Sequence, residues 1–121
     1  MNEPRIEDYL DDLERNLRLS VEFTEATTIE EFQKDFRNQY AVIRALEIVG
    51  ESVKRIPEDI RALEPRMPWK AMAGMRDRLI HGYDNVNIGL VWSTVRTTIP
   101  ALLPLFPAFR EKAEQAPKSK D

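Results

Sequence analysis

The chain of 121 residues contains no cysteine and a single histidine, His81. Without thiols it can form neither disulfide bridges nor a thiolate metal site. One imidazole also disfavours a zinc site built within one chain, because such sites draw on several His or Cys ligands. Glycine is scarce, at four residues, and no glycine-rich phosphate loop is present. Apolar–polar alternation, the mark of a half-buried strand, is missing, and so is any internal repeat. No stretch approaches the roughly 20 apolar residues of a membrane span. The start, Met1-Asn2-Glu3-Pro4, lacks the basic beginning and apolar run of a secretory signal. The expectation is a cytoplasmic chain with no membrane, metal or cofactor requirement. Its length suits one domain with a modest core, placed at residues 1–115, and a short polar tail, 116–121, expected to be disordered.

The net charge of −3 argues against a general nucleic-acid coat protein. Its distribution is uneven. Residues 1–53 carry 6 Lys/Arg against 13 Asp/Glu, residues 54–78 carry 7 against 4, and residues 79–121 carry 5 against 4. The basic excess therefore lies in the middle of the chain. A local positive patch can attract phosphate while the remaining surface stays acidic, although a solvated charged face looks the same on charge alone.

The apolar periodicity is helical throughout, so the fold class is all-α. A first helix is expected from about Pro4 to Ala26, with Ile6, Leu10, Leu13, Leu17 and Val21 as its core stripe. Acidic residues in its early turns complement the helix dipole, and that face could instead dock a basic partner. Thr28-x-x-Glu31 reads as a capping box opening a second helical region, Ile29 to about Ile56, whose apolar positions include Phe32, Phe36, Val42, Leu46, Val49 and Val53. Gly50 lies inside this region, where glycine costs about 1 kcal/mol against alanine, so close helix packing is the expected reason. Glu47 and Glu51 share one face and are flanked by Arg44, Lys54 and Arg55, as in ordinary surface pairs. Pro57, Pro65 and Pro68 punctuate the next stretch: a short helix is expected over 57–63, and a longer one from Pro68 to about His81. Asn87 can cap a helix from Ile88 to Ile99, with Leu90, Val91, Thr94, Val95 and Thr98 inside. Pro100, Pro104 and Pro107 argue against a regular continuous helix through the apolar segment 99–109, which either covers the core or meets a partner.

Chemistry concentrates in Met75-Arg76-Asp77-Arg78-Leu79-Ile80-His81-Gly82-Tyr83-Asp84. A lone histidine on a helix is ordinarily a surface or core residue, but this one has unusual company. Arg76 falls in line with Met72, Ala73 and Ile80 on the apolar face, where a guanidinium must be paired or line a cavity. Arg76 and His81 are five apart, roughly 140° around an ideal helix, and would not meet if the helix ran on. Gly82 is expected to end it, letting the chain turn so that His81 and Tyr83 swing towards Arg76. Asp77, four before His81, could accept a proton from one ring nitrogen.

Arg76-x4-His81-x-Tyr83 matches the R-x4-H-x-Y signature of HEPN-fold toxins of the HepT type, and the chain resembles that family over roughly residues 4 to 110. Leu46-Glu47-Ile48-Val49-Gly50-Glu51-Ser52 and Pro68-Trp69-Lys70 add to the resemblance. It implies a HEPN-like, up-down bundle of about four to five main helices, dimeric, acting as a metal-independent ribonuclease on RNA. It further implies a type VII-like toxin–antitoxin system, in which a cognate MNT-type nucleotidyltransferase antitoxin adenylylates Tyr83. Arg76 and His81 are then the catalytic candidates, with Asp77, Arg78, Lys70, Glu47 and Glu51 as substrate-binding or supporting residues. With one histidine per chain, a homodimer would supply both acid and base in one cleft. Two alternatives stay open: a non-catalytic nucleotide- or partner-binding subunit of a nucleotidyltransferase complex, and a structural dimerisation bundle.

Overall fold

The computed structural model describes residues 5–81 and 85–116, with the backbone alone at 79–81 and 85. Pro4 and the tail 117–121 fall outside this set. Helix α1, Ile6–Glu22, begins where the Asp8 carboxylate accepts the Arg5 backbone N–H at 3.0 Å. Its stripe is as expected, with Leu10, Leu13 and Leu17 buried and Ile6 and Val21 packed at the edge. The helix ends at Glu22 rather than Ala26, and residues 23–26 form turns.

The expected second helix is two helices. Helix α2, Ile29–Lys34, opens with the Thr28 capping box: Thr28 Oγ1 accepts from Glu31 N at 3.1 Å and Glu31 Oε1 from Thr28 N at 3.0 Å. Asp35 then caps helix α3, Phe36–Arg55, by accepting from Asn38 N at 3.0 Å. The buried Gln39 amide donates to the carbonyls of Phe32 and Gln33, at 2.8 and 3.1 Å, and so satisfies groups that the break leaves without helical partners. Phe36, expected in the core, is 69% exposed as a result. Helix α3 packs along α1 and supplies Val42, Leu46, Val49 and Val53 to the core.

After the short α4, Glu58–Arg61, the motif region follows as α5, Trp69–Ala73, and α6, Met75–Leu79, then a two-residue antiparallel ladder of β1, Ile80–His81, with β2, Asn85–Val86. Asn87 caps α7, Ile88–Ser93, as expected, by accepting from Leu90 N at 3.0 Å. Beyond α7 the helical path continues despite three prolines. A π-helical turn, Thr94–Thr98, leads into α8, Ile99–Leu102; a 3₁₀ turn, Leu103–Leu105, leads into α9, Phe106–Gln115. Proline lacks an N–H and crowds the carbonyl four residues back, and changing the hydrogen-bond period around Pro100 and Pro104 relieves both problems. Pro107 sits in the first turn of α9, where its missing N–H costs nothing.

The sequence suggested no membrane-length segment, yet Ile88–Gln115 is long and apolar enough to cross a membrane by length and composition alone. Its buried residues Val91, Val95, Ile99, Phe106 and Phe109 belong to the helical core, so segment 99–109 does cover that core. Thr98, expected inside, is exposed. The fold is all-α apart from the small ladder, and the expected four to five helices are divided into more and shorter segments.

Candidate active site

The local structure before the motif is fixed by a buried carboxylate. Glu64, 2% exposed, accepts from Arg66 N and Nε at 3.1 and 2.9 Å through one oxygen, and from Nη2 at 2.8 Å through the other. Hydrogen bonding to Arg66 holds the Glu64 carboxyl below its usual range, against the opposing effect of burial. The Trp69 indole donates to the Glu64 carbonyl at 3.0 Å and packs against Phe109 with ring centroids 5.2 Å apart. These contacts anchor the first residue of α5.

Gly50 sets the approach of α5 to α3. A Cβ at this position would lie 3.2 Å from the Ala73 carbonyl oxygen and 3.4 Å from that of Met72, so the absence of a side chain brings the two backbones together. This is the close packing expected of that glycine. Gly74 then separates α5 from α6. The break shifts the phase of the motif: Met75, 7% exposed, takes the core position, and Arg76 does not. The Arg76 side chain is 67% exposed, contrary to its expected place on the apolar face.

Arg76 is nevertheless paired. Its Nε lies 3.4 Å from Glu47 Oε2 on α3. The other Glu47 oxygen lies 3.6 Å from Arg44 Nη1, and the same nitrogen reaches Glu51 Oε2 at 3.6 Å. The structure thus joins Arg76 and Glu47 directly, and Glu51 only through Arg44. Arg44 is not among the expected site residues, although its spacing of three and seven residues from Glu47 and Glu51 is a signal for it. An exposed pair of this kind is worth at most about 1 kcal/mol, so an incoming phosphate can replace the Glu47 carboxylate on the guanidinium.

The remaining candidates divide. Asp77 is exposed on α6, but the helix ends at Leu79 and His81 lies in β1, paired with Asn85. The helical register needed for an Asp77–His81 contact is therefore lost. The chain leaves the helix at Leu79, two residues before the expected end at about His81. The capping role given to Gly82, and Tyr83 itself, lie outside the described residues. Lys70 is exposed on α5 and, among the described residues, makes no ion pair. Arg78 is exposed and lines a pocket against α7. No group of three or more His, Asp or Glu side chains suited to a metal ion occurs among the described residues.

A helical chain with the sequence motif Arg76-x4-His81-x-Tyr83 has the marks of a HEPN domain. The chain belongs to the HepT-like ribonuclease family, whose model, described as "Ribonuclease HepT-like", matches residues 6–108. It is 46% identical over 104 residues to a "Probable ribonuclease HepT" of Thermococcus cleftensis, covering 86% of this chain and 94% of that protein. A Methanocaldococcus jannaschii protein with a provisional RNase name is 44% identical over 92 residues, 76% of each chain. A Caldanaerobacter subterraneus protein, also provisionally named an RNase, is 39% identical over 94 residues, 78% of this chain and 84% of that one. No solved structure matches.

Proposed function

We propose that the chain is a cytoplasmic, metal-independent endoribonuclease toxin that acts as a homodimer and is neutralised when a cognate nucleotidyltransferase antitoxin adenylylates Tyr83. The Glu47–Arg76 pair carries this reading, because it holds an exposed, readily exchanged guanidinium at the start of the motif. Cleavage without a metal needs a base for the 2′-hydroxyl, an acid for the leaving 5′-oxygen and a cation for the charge on phosphorus. Arg76 binds the phosphate in a bidentate fashion and stabilises that charge. His81 of one protomer removes the 2′-hydroxyl proton, and its counterpart protonates the leaving oxygen.

The dimer reading has support on α3. Phe36 and Tyr40, 69% and 75% exposed, lie within roughly 60° of Glu47 and Glu51 around the helix. An apolar end and a charged end thus share one face, and a two-fold interface would use that face twice. Light scattering should give twice the chain mass at working concentration, whereas a fully active monomer would rule the dimer out. RNA incubated in EDTA should be cut by the natural chain and about 100-fold more slowly by His81→Ala. Undiminished cleavage by His81→Ala would sink the assignment, and no cleavage by the natural chain would favour the non-catalytic subunit.

A further inference from the structure

Arg76 and Arg78 are two residues apart on α6 and face different neighbours. Arg76 meets Glu47 on α3, whereas Arg78 lines a small pocket of about 100 Å³ between α5–α6 and the α7–α8 run. Met72, Met75, Leu90 and Leu102 give this pocket apolar walls. Ser93, Thr94 and Thr98 add hydroxyls along one side. Ser93 and Thr94 donate theirs to the Leu90 carbonyl at 3.2 and 2.7 Å. Thr98 belongs to the π-helical turn, a departure from regular geometry that is frequent at functional sites, and its exposed side chain stands at the rim.

We propose that this pocket receives an unstacked base of single-stranded RNA next to the phosphate bound at Arg76. The inference rests on the ribonuclease reading above. A base needs an apolar surface for its faces, a planar cation able to stack on it, and hydrogen-bonding groups at its edge. Methionine thioethers and leucines supply the first, Arg78 the second and the Thr98 hydroxyl the third. The placement is also electrostatically consistent: α6 offers one guanidinium to each side of a strand crossing it, so the backbone can run over the helix while one base turns into the pocket. The pocket would then set the sequence preference of cleavage at one position beside the scissile bond.

The test uses 2′-O-methyl RNA, which lacks the attacking hydroxyl, so binding is read independently of catalysis. Affinities of the full-length chain are measured for a single-stranded oligonucleotide and for an abasic strand of equal length. The base-bearing strand should bind about tenfold tighter, within the range found when bases lose their stacking partners. Thr98→Phe, which fills the pocket from an exposed rim position, should abolish that difference and leave the abasic affinity unchanged. Ser93→Phe, at another exposed rim position, is the second filler should Thr98→Phe melt early. Equal affinity for the two strands, or a difference that survives both fillers, would overturn the base pocket whatever the nuclease assay gives. Cleavage of ordinary RNA by the natural chain separately decides the ribonuclease reading.

Discussion

Glu47 on α3 and Arg76 on α6 approach to 3.4 Å, although 29 positions separate them in the chain. The carboxylate occupies the guanidinium that the proposed mechanism assigns to phosphate. It therefore orients Arg76 before substrate arrives and gives way when the phosphate binds.

The first prediction follows from that coupling. Arg76→Ala should lower kcat/KM about 100-fold, by removing charge stabilisation in the transition state. Glu47→Gln should lower it about tenfold, because Arg76 loses its orientation but keeps its charge. The double variant should be no worse than Arg76→Ala alone, since Glu47 acts through Arg76. Losses that multiply in the double variant would show that Glu47 has a separate role.

Gly50 supports a second prediction. Helix propensity alone favours alanine by about 1 kcal/mol. At this position the new methyl would meet the Ala73 carbonyl at 3.2 Å, and overpacking against a backbone costs about 1–3 kcal/mol. Gly50→Ala should therefore be destabilised by about 1 kcal/mol in urea melts, and Gly50→Val by more. Activity should fall as well, because the displaced segment runs directly into Arg76. A Gly50→Ala chain more stable than the original would show that α5 yields freely.

What was legible in the sequence was local. The Thr28–Glu31 box and the Asn87 cap each depend on groups three residues apart, and both formed as expected. The breaks at Asp35 and Gly74 were hidden, because Phe32 and Phe36, like Met72 and Arg76, keep a four-residue spacing across them. The signal lay instead in long-range or backbone terms, such as the Gln39 amide serving the end of α2. Pro100, Pro104 and Pro107 argue against a regular continuous helix, and the path is irregular: the chain changes its helical period at a π turn and a 3₁₀ turn and continues. The motif stands out by its lone histidine among clustered arginines, and the resemblance to a family adds its roles; the Glu47–Arg76 contact could not follow from spacing, since tertiary packing alone brings α3 to α6.

Glu64 gives a pH-dependent prediction. Its carboxyl titrates below the ordinary value of 4.5 because Arg66 hydrogen-bonds the charged form. A depressed folded-state value means that stabilisation is fully present above the unfolded value and is lost as pH falls through the folded one. The natural chain should thus be more stable than Glu64→Gln at neutral pH, and the gap should narrow as the pH falls below the ordinary value of 4.5 and through the lower folded-state one. Urea melts at several pH values check this, and a gap that does not narrow in acid would mean that the carboxylate charge contributes little.

Tyr83 carries the last prediction. It stands two positions beyond His81, in the segment that joins β1 to β2. An adenylyl group on its phenol would bring bulk and negative charge two positions along the chain from the proposed proton-transfer group. RNA phosphate would then be excluded by sterics and by like-charge repulsion, the logic by which phosphorylation blocks an anion site. The chain has two other tyrosines, and they make the experiment discriminating. Tyr9 is half-buried beneath the Arg55 guanidinium, whereas Tyr40 is 75% exposed and open to modification. Incubation with the cognate nucleotidyltransferase, ATP and Mg²⁺ should add AMP to Tyr83, and Tyr83→Phe should gain none. Intact mass and a peptide map distinguish the three positions. A gain on Tyr40 instead, or an undiminished gain in Tyr83→Phe, would refute the site. Tyr83-modified protein that still cleaves RNA at full rate would refute the blocking mechanism, because charge and bulk beside His81 would then leave the phosphate site open.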